Sequence, residues 1–236
     1  DHDTFLTLRA LRRVMSDFVC ITHPVTIDML INCFQLFDWR NSLHVRIHAA
    51  FLDAFFSFLR ICNLVPYKSS DLGSNKAYFL TRFDVSFSAA AAVLRVYRTK
   101  TVQFHQCVLE IPLPLIPNSI LCPVSALKNY ISLLPAPLES PLFMVSEGSG
   151  IKPFRASHFN RFFKSCVRAA GFIPQYFSSR SFRQVGATFA LNCGAFSEFI
   201  KAQGDWQSDA YFLYLKLSTQ KKLDILRSIS TRLDLL

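Results

Sequence analysis

The sequence predicts a mainly α-helical domain with one small antiparallel β-sheet in its first half, an α+β arrangement. Two observations lead to this fold class. Most apolar segments of the 236 residues have helical spacing, and three runs rich in Val, Phe and Tyr between residues 80 and 111 are typical of strands. The hydrophobic fraction of 51% is ample for a buried core, and the length suits one large domain or two small ones.

Helices are predicted for the first part of the chain. Residues 5–19 read as the remainder of a helix that carries three arginines. A helix over residues 27–37 follows Thr26, whose side chain can cap it, and Asp28 favours the positive end of the helix dipole. Residues 42–63 are predicted as one long apolar helix that ends before a proline.

The predicted sheet comes next. Strands are expected, in order, at residues 80–87, 93–97 and 102–111. Residues 112–123 hold four prolines and are predicted as a loop. A short helix at 124–134, a short strand at 141–145 and a turn at 148–150 follow.

The second half is predicted to be helical. Residues 156–170 have an apolar stripe that includes Phe159 and Phe163, and Gly171 stands where a glycine commonly ends a helix. Further helices are expected at residues 183–192, 197–203, 211–217 and 219–235.

The charge balance favours a polyanionic partner. The formal net charge is +10, and such an excess is typical of proteins that bind nucleic acid. Charge alone leaves open a basic protein that has no such partner. A membrane partner is not expected, because three polar residues interrupt the most apolar stretch, residues 49–66.

The seven cysteines predict neither a metal site nor a disulfide framework. They lie far apart, without a C-x-x-C pair, and most stand inside apolar runs. We therefore expect reduced cysteines, an intracellular protein, and no metal or cofactor.

Three cations spread along the chain suggest chemistry on a phosphodiester. Catalysis without a metal needs fixed cations around the non-bridging oxygens, and arginine provides a planar fork that keeps its charge. Arg60 ends an apolar helix, Lys100 follows a predicted strand, and Arg183 begins a helix. Taken singly, each of these residues is more often a solvated surface charge.

The order of the motifs makes the set specific. It runs F-F-S-F-L-R-I-C-N-L-V-P (55–66), R-T-K-T-V-Q-F (98–104), E-I-P-L-P (110–114), L-C-P-V-S-A-L (121–127), L-L-P-A-P (133–137), R-S-F-R-Q-V-G-A-T-F-A (180–190) and I-K-A-Q-G-D-W-Q-S-D-A-Y-F-L-Y-L (200–215). This pattern resembles the catalytic domain of the tyrosine recombinases. It is similar in particular to the branch of DIRS-, Ngaro- and Crypton-type mobile elements, the XerD-like integrase homologues. The resemblance covers nearly the whole chain from about residue 25.

The resemblance implies a role for each matching residue. Arg60 and Arg183 would be the two arginines that grip the scissile phosphate, and Lys100 would protonate the 5′ leaving oxygen. Trp206 would donate its indole N–H to a phosphate oxygen, and Tyr214 would be the nucleophile that forms a 3′-phosphotyrosine. No metal or nucleotide would be consumed. Without the family match, Tyr214 reads as a packed helix residue, and Tyr211 on nearly the same helix face competes for its role.

One departure from the family pattern concerns proton transfer. The family expects histidine three residues before the second arginine, and Arg180 stands there instead. Arginine can stabilise an anion but cannot exchange a proton near neutral pH. Gln184 and Val185 also replace the usual Arg-Gly. The alternative function is therefore a catalytically inactive, degenerate DNA-binding module on the same fold.

The resemblance also implies partners and organisation. Duplex DNA would be the partner, and the assembly on DNA would be a homo-tetramer. Residues 1–22 would be the remnant of an N-terminal core-binding domain and its linker, and residues 23–236 the catalytic domain. The location would be intracellular, and nuclear in a eukaryote. Basic residues expected to contact DNA are Arg95, Arg98, Arg155, Arg161, Lys164 and Arg168.

Overall fold

The fold is built around one long buried helix. The computed structural model describes residues 25–68, 71, 79–99, 108–147, 150–206, 212, 215, 219–220, 222–224 and 226–227. The described helices are α1 (Ile27–Gln35), α2 (Ser42–Ser57), α3 (Ile61–Leu64), α4 (Pro123–Leu133), α5 (Ala156–Ala169), α6 (Ser179–Asn192) and α7 (Ser197–Gln203). The described strands are β1 (Val85–Phe87), β2 (Ala91–Val96), β3 (Leu109–Pro114), β4 (Met144–Glu147) and β5 (Gly150–Pro153).

The predicted fold class, mainly α with a small antiparallel sheet, is confirmed. β1, β2 and β3 form an antiparallel sheet in that order, and β4 pairs with β5 in a separate hairpin. The helix expected at 27–37 is α1, and Thr26 caps it by accepting a hydrogen bond from the Met29 amide at 3.2 Å. The predicted helices 5–19 and 211–217 lie outside the described residues, apart from 212 and 215. Of the predicted helix 219–235, the described residues are helical.

The long helix predicted over 42–63 is interrupted, and that expectation was wrong. α2 ends at Ser57, and Phe58 adopts a left-handed conformation with φ of 52°. The short helix α3 starts only at Ile61, so Arg60 precedes a helix instead of ending one. The sequence here contains neither Gly nor Pro, and the break depends on a tertiary contact of the Phe58 carbonyl described below.

Two strand predictions also needed correction. Of the run predicted as a strand at 80–87, only Val85–Phe87 is a strand (β1), because a 3₁₀ turn over Arg82–Asp84 precedes it. The Asp84 carboxylate closes that turn by accepting from the Thr81 amide at 2.6 Å. The strand predicted at 102–111 runs Leu109–Pro114 in its described part, so the first residues of the predicted proline loop belong to β3. Proline is tolerated there because β3 lies at one edge of the described sheet and both prolines are exposed.

The later elements follow the sequence more closely. The strand predicted at 141–145 is β4, shifted to Met144–Glu147, and its partner β5 was not predicted. α5 ends where expected, with Gly171 at φ of 85°. α6 starts at Ser179, four residues earlier than predicted, which places Arg180 and Arg183 on the same helix.

An aromatic cluster joins α2 to the two helices that follow the hairpin. The Phe51 ring lies 5.0 Å from the Phe159 ring, 5.6 Å from Phe163 and 5.1 Å from Phe182, measured between centroids. Gly186 brings α6 against α2, because a Cβ there would collide with the Phe55 carbonyl oxygen and the Phe58 ring. The close approach places the second turn of α6 beside the break after α2. None of the helices in the described part of the chain has the length and apolar character that a membrane span requires.

Candidate active site

The first residue of the candidate site is Arg183, whose side chain contacts the end of α2. It lies on α6 and is only 7% exposed. Its Nη1 donates to the Phe58 carbonyl at 2.7 Å, and its guanidinium carbon lies 3.7 Å from the centroid of the Trp206 ring. A backbone acceptor and a cation–π contact therefore fix the plane of this guanidinium. The left-handed conformation of Phe58 presents the carbonyl that makes this possible.

Arg60 lies two residues beyond that carbonyl, in the break between α2 and α3. Its side chain is 30% exposed, and its Nη1 lies 3.4 Å from Oδ2 of Asp205, which is 3% exposed. The ion pair joins segments 145 residues apart in the chain. The sequence placed Arg60 at the end of a helix, which was wrong; its role in binding a phosphate stays a prediction.

Arg180 is exposed and stands one helical turn before Arg183 on α6. Burial, and to a lesser degree Cys62, raise the pKa of the Tyr67 phenol above its usual value. The positive charge of Arg180 partly opposes this rise. Burial likewise raises the pKa of the Cys62 thiol, and the positive charges of Arg60 and Arg183 oppose that rise. Arg60 and Arg183 therefore act on Cys62, and Arg180 acts on Tyr67.

Trp206 is buried against Arg183. It belongs to a small apolar cluster with Phe58, Ala187 and Ile200, and its six-membered ring lies so close to Gly204 that a Cβ there would collide with the ring. The sequence predicted this indole as a phosphate donor. Its observed contacts make it a support for Arg183, and the prediction of a phosphate contact stays a prediction.

Two of the predicted catalytic residues, Lys100 and Tyr214, lie outside the described residues, as does the competing Tyr211. The structure nevertheless describes the segment that leads to Lys100 as far as Thr99. The Asn63 side chain in α3 donates to the Arg98 carbonyl at 3.2 Å, and Thr99 is fully buried. The chain that leaves β2 is thereby held against the helix that follows Arg60.

The predicted DNA-contacting residues fall into two groups. Arg161, Lys164 and Arg168 are exposed on α5, as expected, and Arg155 is half-buried just before that helix. On the sheet, Arg98 is half-buried at the end of β2, and Arg95 forms an exposed ion pair with Glu110 at 3.2 Å.

Sequence reasoning missed the residues that support the arginines. Asp205 was not among the predicted site residues, yet it pairs with Arg60. Gln203 was also missed, although its amide donates to the Phe56 carbonyl at 3.0 Å and to the Pro112 carbonyl at 3.1 Å, tying α7 to α2 and β3. The G-D-W triplet directly after a short helix was the one available signal. Within the described residues, no three His, Cys, Asp or Glu side chains lie close enough together to hold a metal ion.

The fold is that of tyrosine recombinase catalytic domains. The structure of the XerH site-specific recombinase bound to its difH substrate, in a pre-cleavage complex, superposes with a TM-score of 0.58 at 11% identity, over 87% of this chain and 54% of that one. The XerA recombinase superposes with a TM-score of 0.56 at 17% identity, over 90% of this chain and 64% of that one. This chain thus spans about half to two thirds of the length of these proteins.

A transposon integrase has the same fold. The Tn1549 integrase, in complex with circular intermediate DNA, superposes with a TM-score of 0.51 at 15% identity, over 88% of this chain and 64% of that one. No protein-family model matches the chain. No curated protein matches its sequence either.

Proposed function

We propose that this chain is the catalytic domain of a DNA recombinase or integrase that breaks and rejoins strands through a 3′-phosphotyrosine. One observation carries the proposal. Arg183 on α6 donates to the carbonyl of Phe58, two residues before Arg60, and Arg180 stands exposed one helical turn before Arg183. The fold that brings them together is shared with recombinases and integrases whose structures contain DNA.

The site would act by positioning and by electrostatic stabilisation. The guanidinium groups of Arg60 and Arg183 would donate to the non-bridging oxygens of one phosphate, where negative charge increases in the transition state. The Tyr214 oxygen, once its phenolic proton has passed to solvent water, would attack phosphorus while the bond from phosphorus to the 5′ oxygen breaks, and the Lys100 ammonium would give its proton to that oxygen. The phosphotyrosine bond would keep the phosphodiester energy, so religation by the 5′-hydroxyl would need no nucleotide or metal.

A second candidate is an inactive DNA-binding module on the same fold. The observation that favours it is Arg180, which is exposed beside the site at the position of the family's histidine. The phenolic proton of the nucleophile needs an acceptor, and a guanidinium cannot accept it. In this case the arginines and the exposed cations of α5 would bind the DNA backbone without cleavage.

Covalent trapping separates the two candidates. Duplexes are first selected from a random library by binding to the protein and are then nicked to make suicide substrates. We expect a protein–DNA adduct on a denaturing gel with the parent chain and with Tyr211→Phe, and none with Tyr214→Phe, because only the last change removes the attacking oxygen. An adduct that persists in Tyr214→Phe refutes this nucleophile. DNA binding without any adduct, in the parent and in Arg180→His alike, favours the inactive module.

The wider organisation is proposed on the same basis. Residues 1–22 would be the end of a core-binding domain, with residues 23–236 as the catalytic domain of a mobile-element enzyme of the DIRS, Ngaro or Crypton type. Lambda integrase, which has this fold, forms a tetramer on a Holliday junction, and we propose a tetramer on DNA here too. The protein would act inside the cell, in the nucleus if the host is a eukaryote.

A further inference from the structure

The segment after α7 holds a charged residue in a conformation that usually belongs to glycine. The Asp205 amide donates to the Ala202 carbonyl at 3.2 Å, and the Trp206 amide donates to the Lys201 carbonyl at 3.0 Å. These two hydrogen bonds define a Schellman motif, in which the first residue past the cap is left-handed and is most often glycine. Here that residue is Asp205, with φ of 54°.

The neighbouring glycine does not serve the backbone conformation. Gly204 has an ordinary φ of −96°, and what requires glycine there is the Trp206 ring lying on it. The left-handed position therefore falls on an aspartate. Aspartate tolerates this conformation better than most residues, but it is still uncommon. Such conformations persist where the surroundings fix them and tend to occur at functional sites.

The carboxylate of Asp205 is buried and directed at one of the two proposed phosphate-binding arginines. It is 3% exposed, and its Oδ2 lies 3.4 Å from Nη1 of Arg60. A buried carboxylate is costly unless a cation or a donor compensates it. Arg60 lies in the break between α2 and α3, and its contact with the Asp205 carboxylate sets where the guanidinium lies.

We infer that Asp205 is a positioning residue, which holds Arg60 in the orientation needed to bind the scissile phosphate. The inference rests on the proposed function. A guanidinium has five N–H donors on three nitrogens, so a contact through Nη1 leaves others for phosphate oxygens. Asp205 and Trp206 then act as a pair, since the first holds Arg60 and the second supports Arg183.

This role predicts opposite effects on binding and on cleavage. Asp205→Asn keeps the size of the side chain and its tolerance for the left-handed conformation, but removes the charge that holds Arg60. Loss of one negative charge close to a phosphate leaves DNA affinity equal or makes it higher. Cleavage falls because Arg60 is no longer held. A residue that only stabilised the fold would instead lower the melting temperature, affinity and cleavage together.

The experiment compares the parent, Asp205→Asn, Arg60→Ala and the double variant. Asp224→Asn is the matched control, because Asp224 also pairs with an arginine (Arg227) at 3.4 Å, but on an exposed helix surface. Each protein is measured for melting temperature, for anisotropy of a fluorescent duplex at low salt, and for the single-turnover rate of adduct formation on a suicide duplex.

We expect Asp205→Asn to melt within about 2 °C of the parent, to bind DNA at least as tightly, and to form adduct at least about tenfold more slowly. Asp224→Asn should match the parent in all three. Arg60→Ala should slow adduct formation far less in the Asp205→Asn protein than in the parent. A cleavage rate unchanged in Asp205→Asn, or one that falls only in step with melting temperature and affinity, overturns the inference.

The two proposals can fail separately. If the parent forms no adduct, the recombinase proposal fails, and the affinity measurements alone decide the role of Asp205. The effect of Arg60→Ala on DNA affinity is compared between the parent and the Asp205→Asn protein. A difference of about threefold or more supports positioning, because the effects of substituting two residues in contact are not additive. Equal effects in both backgrounds overturn it.

Discussion

Replacing Gly186 by alanine tests the contact that places Arg183 beside the break after α2. A Cβ at this position would meet the Phe55 carbonyl oxygen and would lie 2.6 Å from the nearest atom of the Phe58 ring, whereas ordinary contacts begin at 3.4 Å. The two helices would have to separate by about 1 Å at this point, because a backbone oxygen cannot rotate away as a side chain can.

The magnitude follows from two opposing terms. Alanine favours a helix over glycine by about 1 kcal/mol, while a forced shift of packed backbone costs about 1–3 kcal/mol or more. We expect the clash to dominate, with a net loss of about 2 kcal/mol and a fall in Tm of about 4–8 °C for a chain of this size. Adduct formation should fall further than stability, because the shift moves Arg183 away from the Phe58 carbonyl.

Two other glycines are suitable controls in the same thermal melts and adduct assays. A Cβ at Gly150 would meet nothing within 4 Å, so Gly150→Ala should leave Tm unchanged. Gly171 has open space but a φ of 85°, so Gly171→Ala should cost about 1 kcal/mol from the backbone alone and should not affect cleavage. A Gly186→Ala protein as stable and as active as Gly150→Ala would refute the close-packing argument.

Three further predictions follow from the charged groups. Burial raises the pKa of Asp53 well above its usual value, so the folded state keeps a proton that the unfolded state loses. The free energy of unfolding should therefore fall as pH rises above about 3.9. Asp53→Leu should remove this pH dependence and add about 1–3 kcal/mol to the free energy of unfolding measured in denaturant. The same pH dependence in Asp53→Leu and the parent would contradict the burial of Asp53. Replacing both Arg161 and Lys164 by Gln should lower the salt slope of DNA binding by about 1.8, and a slope equal to that of the parent would exclude this face of α5 from the interface. Arg180→His should raise the rate of adduct formation by about 10²-fold if proton transfer limits the reaction, and an unchanged rate would place the limit elsewhere.

The sequence predicted most of the elements in their order, and it singled out the arginines that the candidate site contains. The cap at Thr26, the apolar stripe of α5 and the glycine that follows α5 are local signals. Each depends on residues that are close together in the sequence, and each is present in the structure. The resemblance carried by R-S-F-R and G-D-W identified Arg183 and Trp206. It did so through residue type and order, without information on what either side chain contacts.

Tertiary structure decided how the cations are held. The break at Phe58 has no sequence signal, because neither Gly nor Pro marks it; the Arg183 guanidinium, which lies 125 residues later, stabilises the left-handed carbonyl there. The role of Asp205 was invisible for the same reason, since its partner Arg60 is 145 residues away. Periodicity and capping report on neighbours in the chain, whereas a buried ion pair depends on which distant segments the core packs together. The sequence thus supplied the candidate residues, and the packing of α6 and α7 against the end of α2 determined which of them lie together.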